Sequence, residues 1–126
     1  MSFLLQICSM DKRYFEDEVF EKMNFRETPL AKGEYEACSF RQCDLSDCDL
    51  SGILFIDCDF TGCNLSLAKI VKTGFQGVTF KECKMLGLHF ETCNEFGLAM
   101  SFHHSVLNHS SFYGVKLKKT LFEQCQ

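Results

Sequence analysis

Nine cysteines, four histidines and a run of aspartates are the side chains of this 126-residue chain whose types could carry chemistry. Cys38, Cys43, Cys48, Cys58, Cys63, Cys83 and Cys93 all lie on one five-residue lattice. No Cys-x-x-Cys pair occurs, so neither a zinc ribbon nor a thioredoxin-like redox site is indicated. Cysteines five apart fall at the outer range of zinc-ligand spacing, yet regular placement inside a repeating core explains them without a metal. His103, His104 and His109 cluster near Asn108, but they read as surface residues on diverging faces rather than a shared ligand set. The serines, among them Ser46, Ser51 and Ser66, pair by spacing with no base, and no glycine-rich phosphate loop occurs. The reading is a protein without catalytic residues, cofactor or metal. Asp44, Asp47, Asp49, Asp57 and Asp59 remain as candidates for contact with a partner.

The cysteine lattice belongs to a larger repeat. Stepping by five from Phe15 through Phe20, Phe25, Leu30 and Tyr35 to Met85 and Phe90 gives sixteen consecutive large apolar residues. Chance would produce this on the order of 1 time in 10⁷ at ordinary apolar usage. The pattern is lost around Glu95 and resumes two residues out of phase at Phe102, Leu107, Phe112, Leu117 and Phe122. A period of five fits neither a helix nor an ordinary strand. It fits a solenoid that turns a corner at every repeat, with a large central residue facing in and a small residue two positions earlier also facing in. The lattice cysteines hold that second position, where a thiol behaves as a small hydrophobe.

Segments such as Cys43-Asp44-Leu45-Ser46-Asp47, Cys48-Asp49-Leu50-Ser51-Gly52, Cys58-Asp59-Phe60-Thr61-Gly62 and Cys63-Asn64-Leu65-Ser66 carry a resemblance. The chain resembles the pentapeptide-repeat proteins over about residues 15 to 126. That resemblance implies an all-β fold, a right-handed quadrilateral β-helix of about five to six coils with four pentapeptides in each. Residues twenty apart would then stack, placing Phe40, Phe60 and Phe80 in one internal ladder and Cys43, Cys63 and Cys83 in another. Within the family the chain is most similar to the bacterial fluoroquinolone-resistance and microcin-immunity branch, through its Cys-Asp-Phe/Leu repeats and the stretch Cys63-Asn64-Leu65-Ser66-Leu67-Ala68. Members of that branch imitate duplex DNA and act on DNA gyrase or topoisomerase IV, so the resemblance implies a non-enzymatic, DNA-mimicking partner of such an enzyme, with no direct nucleic-acid or membrane contact. The five aspartates would stand in for phosphates against a basic groove. A general scaffold with an unrelated partner is the alternative, its patch lying near Leu67 and Leu86.

Organisation and charge complete the reading. Residues 1–14 are expected to form a leader or cap, and residues 15–126 a single β-helix with a register break between 90 and 102. The repeat stops partway at Cys125-Gln126, so a chain truncated at its C-terminus is expected, or a homodimer through that coil edge. An odd number of cysteines and no signal-peptide pattern point to a reduced, cytoplasmic protein. Hydrophobic residues at 46% and charged residues at 24% exclude a disordered chain. Residues 1–65 hold 13 acidic and 6 basic side chains, and residues 66–126 hold 4 and 7, so the −4 net charge divides into −7 and +3.

Overall fold

The structure is a computed structural model that describes residues 13–115 and 120–126. Short parallel strands wind into a square coil of about five turns. Strands β1 (Arg13–Glu16), β3 (Gly33–Glu36), β5 (Leu54–Ile56) and the start of β7 (Gly74–Lys81) stack on the first face. Strands β2 (Val19–Glu21), β4 (Ser39–Arg41), β6 (Asp59–Thr61) and the end of β7 stack on the second. The third and fourth faces are held by single bridges, Asn24 to Asp44 to Asn64 to Lys84 and Asp49 to Lys69. Every pairing runs twenty residues apart as far as β7, for example Phe15 with Tyr35 and Phe40 with Phe60. The sequence-based expectation of a quadrilateral β-helix therefore describes the fold.

The corners explain the period. Asp17, Lys22, Ala37, Gln42, Asp47, Asp57, Leu67, Lys72 and Glu82 all have φ between 52° and 61°, and with Gly52, Gly62, Gly77 and Gly87 they mark every fifth position from 37 to 87, where the coil turns. At the corners after the third and fourth faces the amide of the next repeat closes a turn: Cys48 N donates to Leu45 O at 3.2 Å and Ile53 N to Leu50 O at 3.2 Å. A third residue with positive φ is what such a type II turn requires. Asp and Asn occupy that conformation at modest cost, and none of these corner residues is β-branched.

The interior is a set of columns. Phe20, Phe40, Phe60, Phe80, Phe102 and Phe122 form one stack, with ring centroids 4.8, 4.6, 5.1, 5.1 and 5.0 Å apart in turn. A second stack runs through Phe15, Tyr35, Phe55 and Phe75 and meets the first edge to face, as Phe55 does Phe60 at 5.3 Å. Offset stacks and edge contacts are the geometries that ring quadrupoles favour. Cys38, Cys43, Cys58, Cys63 and Cys83 are buried at the small inward position, and their thiols donate to carbonyls 23 residues back, as from Cys63 to Phe40 O at 3.2 Å. Thr73 makes the same bond from a hydroxyl, to Leu50 O at 2.6 Å.

Between β7 and β8 (Asn94–His103) the offset grows. Gly74 pairs with Asn94, but Phe80 pairs with Phe102, so two extra residues bulge out over 95–98. Leu98 packs partly into the core while Phe96 is left 77% exposed. The twenty-residue spacing returns between β8 and β9 (Thr120–Glu123). Among the described residues no helix is long and apolar enough to cross a membrane.

Candidate functional site: the outward faces of the coil

In each repeat the residue before the central one, and the two after it, point away from the core. Asp44 lies on the third face, Asp49 on the fourth and Asp59 on the second, while Asp47 and Asp57 occupy opposite corners. The five carboxylates thus encircle the rod within one turn, and the fold does not gather them onto one surface.

Two of them also have local duties. Asp44 Oδ1 accepts from the Ser46 hydroxyl at 2.6 Å and amide at 3.0 Å, and these bonds hold its carboxyl below the usual carboxylate range. Asp49 Oδ1 accepts from the Ser51 amide at 3.0 Å, and Asn24, Asn64 and Asn94 repeat the same turn. The Asp/Asn preference before the central residue is thereby explained by side chains hydrogen-bonding their own backbone. Arg26 approaches Asp47 at 3.9 Å and Lys32 approaches Asp49 at 3.5 Å. Among the described residues no ion pair joins Asp57 or Asp59.

The net charge resolves by coil. Residues 33–52 carry five carboxylates and one arginine, a net −4, whereas 53–72 and 73–94 are each balanced at two against two. Duplex DNA carries one charge per ~1.7 Å, about three in the ~4.8 Å rise of one coil. Only the coil 33–52 reaches that density.

A second acidic group was invisible to a reading along the chain. Glu16 and Glu36 are register partners on the first face, and Glu34 stands beside them. The Tyr14 hydroxyl donates to Glu36 Oε1 at 2.6 Å, and that bond, with burial and the charges of Glu16, Glu36 and Glu34, pushes the phenol above its usual ionisation range. Writing the sequence in rows of twenty residues would have put Glu16 and Glu36 in one column and Glu34 two columns away.

The histidines stand apart from one another. His103 meets Glu123 at 2.6 Å and His89 meets Glu91 at 3.3 Å, while His104 and His109 are exposed at successive corners. Among the described residues no cluster of three His, Cys, Asp or Glu side chains could hold a metal. A cavity of about 540 Å³ opens where residues 26–29 leave the lattice, lined by Phe25, Leu30, Arg26, Lys32 and Cys48 among others. Its lysine is already occupied, donating to Asp49 O and Ser51 O at 2.9 Å each. Leu67 is 62% exposed at its corner, but Leu86 is half-buried, so the two make a smaller patch than their spacing suggests.

Residues 38–77 match the family model for pentapeptide repeats, in eight copies. With the same lattice and square coil on both sides of that segment, the chain folds as a pentapeptide-repeat β-helix. Among curated proteins no sequence matches it. Of solved structures, it is similar to a trypsin-treated form of QnrB1, a plasmid-mediated fluoroquinolone resistance protein, at 20% identity and a TM-score of 0.52, covering 86% of this chain and 54% of that one. It is also similar to Rfr23, a pentapeptide repeat protein from the cyanobacterium Cyanothece 51142, at 14% identity and a TM-score of 0.52, over 99% and 97% of the two chains. The chain thus spans about half the length of QnrB1, and both likenesses concern the fold.

Proposed function

We propose that the protein is a non-enzymatic, protein-binding solenoid that meets a basic surface of its partner, with a type II topoisomerase, DNA gyrase or topoisomerase IV, as that partner. The observation that carries this reading is the concentration of charge in one coil: residues 33–52 alone carry a net −4, as much as the entire chain. Asp44, Asp47 and Asp49 lie in that coil, and Asp57 and Asp59 follow in the next, whose charge Lys69 and Lys72 balance. Opposed potentials of this kind set association rate and partner choice. The fold shared with QnrB1, a plasmid-mediated fluoroquinolone resistance protein, makes gyrase the first partner to test.

A second reading, an interaction scaffold with an unrelated partner, is favoured by the balanced coils from residue 53 onward, where phosphate-like charge density is absent. Gyrase supercoiling titrated with this protein, with and without a fluoroquinolone, separates the two. Rescue from the drug, or inhibition that weakens as salt rises, supports the topoisomerase reading. An unchanged titration curve moves the assignment to the scaffold.

A further inference from the structure

We infer that the first face of the coil is the docking face, and that it takes a protein segment bearing a basic cluster beside an apolar pocket. The inference rests on the reading of the protein as a binding solenoid, but not on the identity of its partner.

The face is built from columns in strict register. Tyr14, Glu34, Leu54, Gly74 and Asn94 form one outward column, and Glu16, Glu36, Ile56 and Gln76 the other. Asp17, Ala37, Asp57 and Gly77 line the corner that follows. None of these positions holds a lysine or an arginine: the cations nearest them are Arg13 at the start of β1, Lys32, which is paired with Asp49, and Lys72 at the preceding corner, whereas the outward positions of the other three faces carry Arg41, Lys81, Arg26, Lys84 and Lys69. Carboxylates occupy the N-terminal end, half-buried Leu54 and Ile56 the middle, and the 95–98 bulge the far end.

Glycines flatten this surface. A Cβ on Gly74 would come 2.5 Å from Leu54 Cδ1, and one on Gly77 would come 2.7 Å from Asp57 Oδ1. Each side chain therefore leans over a glycine of the next coil instead of standing off the face. The same device steadies the bulge, where Gly97, at φ 65°, lets the Gln76 side chain pass beneath it. Gln76 Nε2 donates to Phe96 O at 3.4 Å, and the Phe96 amide donates to Asn94 Oδ1 at 3.0 Å. Phe96 is thus an exposed aromatic on a hydrogen-bonded support, the form in which an aromatic side chain serves as an interface anchor. Three coils separate it from Glu36, about 14 Å at the strand spacing of a sheet. Charge complementarity then specifies the occupant: lysines or arginines over Glu16, Glu34 and Glu36, and an apolar pocket over Phe96.

The test places a photoreactive benzophenone amino acid at position 96 or, as control, at position 113 of the full chain in the source cells. Tyr113 is 87% exposed and lies on the fourth face, so it reports exposure without the first face. The expected result is one protein adduct from position 96 and none from 113, cross-linked through a segment that contains a basic cluster. Glu34→Lys with Glu36→Lys should abolish the adduct, and Glu34→Gln with Glu36→Gln should weaken it. Phe96→Ala should reduce affinity for the captured partner by roughly thirtyfold, the loss expected of a hot-spot aromatic. No adduct from position 96, equal adducts from both positions, or an adduct indifferent to charge reversal would overturn the inference. An adduct with a protein other than a topoisomerase removes that partner and leaves the docking face standing. Gyrase binding that ignores Phe96 and both glutamates does the reverse.

Discussion

Replacing Phe60 with alanine should cost this protein far more than the same change at the end of the same stack. Phe60 is fully buried, with Phe40 at 4.6 Å above, Phe80 at 5.1 Å below and Phe55 edge-on at 5.3 Å. A buried Phe→Ala change costs about 3–5 kcal/mol when its surroundings cannot collapse. Here they cannot, because the ladders Phe40 to Phe60 and Phe60 to Phe80 fix the separation of the coils. Losing two stacked neighbours places the expected cost at the upper end, about 5 kcal/mol, against a typical domain stability of about 5–15. Phe122 stacks on Phe102 alone at 5.0 Å, meets Phe112 edge-on and is 42% exposed. Its removal should cost about 1–2 kcal/mol. Urea titration followed by far-ultraviolet circular dichroism measures both. The Phe60 variant should also unfold over a broader transition, since a solenoid weakened at its centre loses coupling between neighbouring coils. Equal costs for the two variants, or less than about 1 kcal/mol for Phe60→Ala, would refute the view of the stack as the axis of the fold.

Thr73→Val should destabilise by about 1–2 kcal/mol in the same titration, because it removes the buried bond to Leu50 O and adds no useful volume. Gly33→Ala should release the first coil, since a Cβ there would sit 2.2 Å from Arg13 O; loss of hydrogen-exchange protection confined to β1 and β2 would report it. Burial pushes the Cys58 thiol up to about 12 and the Cys93 thiol up to about 11. The unfolded chain ionises its thiols near 9.0, so ionisation favours unfolding and stability should fall as pH rises from there toward 12. Below that window, iodoacetamide should label half-buried Cys48 and Cys125 before the other described cysteines, as peptide mass spectrometry would show.

The fold was legible because each repeat restates it. Phe40, Phe60 and Phe80, separated by twenty residues, needed only the period to be placed in one stack. The cysteine lattice was legible for the same reason, since Cys43, Cys63 and Cys83 point where the period puts them. What the period hides is the outer surface. Asp47 and Asp57 lie ten residues apart, which is half a coil and thus opposite corners, while Glu16 and Glu36 lie twenty apart and are neighbours. Proximity along the chain selected the aspartates, and proximity across coils selects the glutamates. The bulge was legible as a loss of phase near Glu95, but not its product: only the hydrogen bonds to Asn94 and Gln76 reveal that Phe96 is held outward.

Direct binding of purified DNA gyrase, measured by fluorescence anisotropy across a salt series, tests the central functional claim. The unaltered protein should bind saturably, and the affinity should fall as salt rises, because the contact is between a −4 coil and a basic surface. Asp44→Asn, Asp47→Lys and Asp49→Asn together, which bring the coil to neutrality and keep the turns that Asn24 and Asn64 also make, should weaken binding at low salt and flatten the salt dependence. Saturable binding that ignores both the salt and the three substitutions would contradict the acidic contact, and absence of binding at the lowest salt would contradict the topoisomerase as partner.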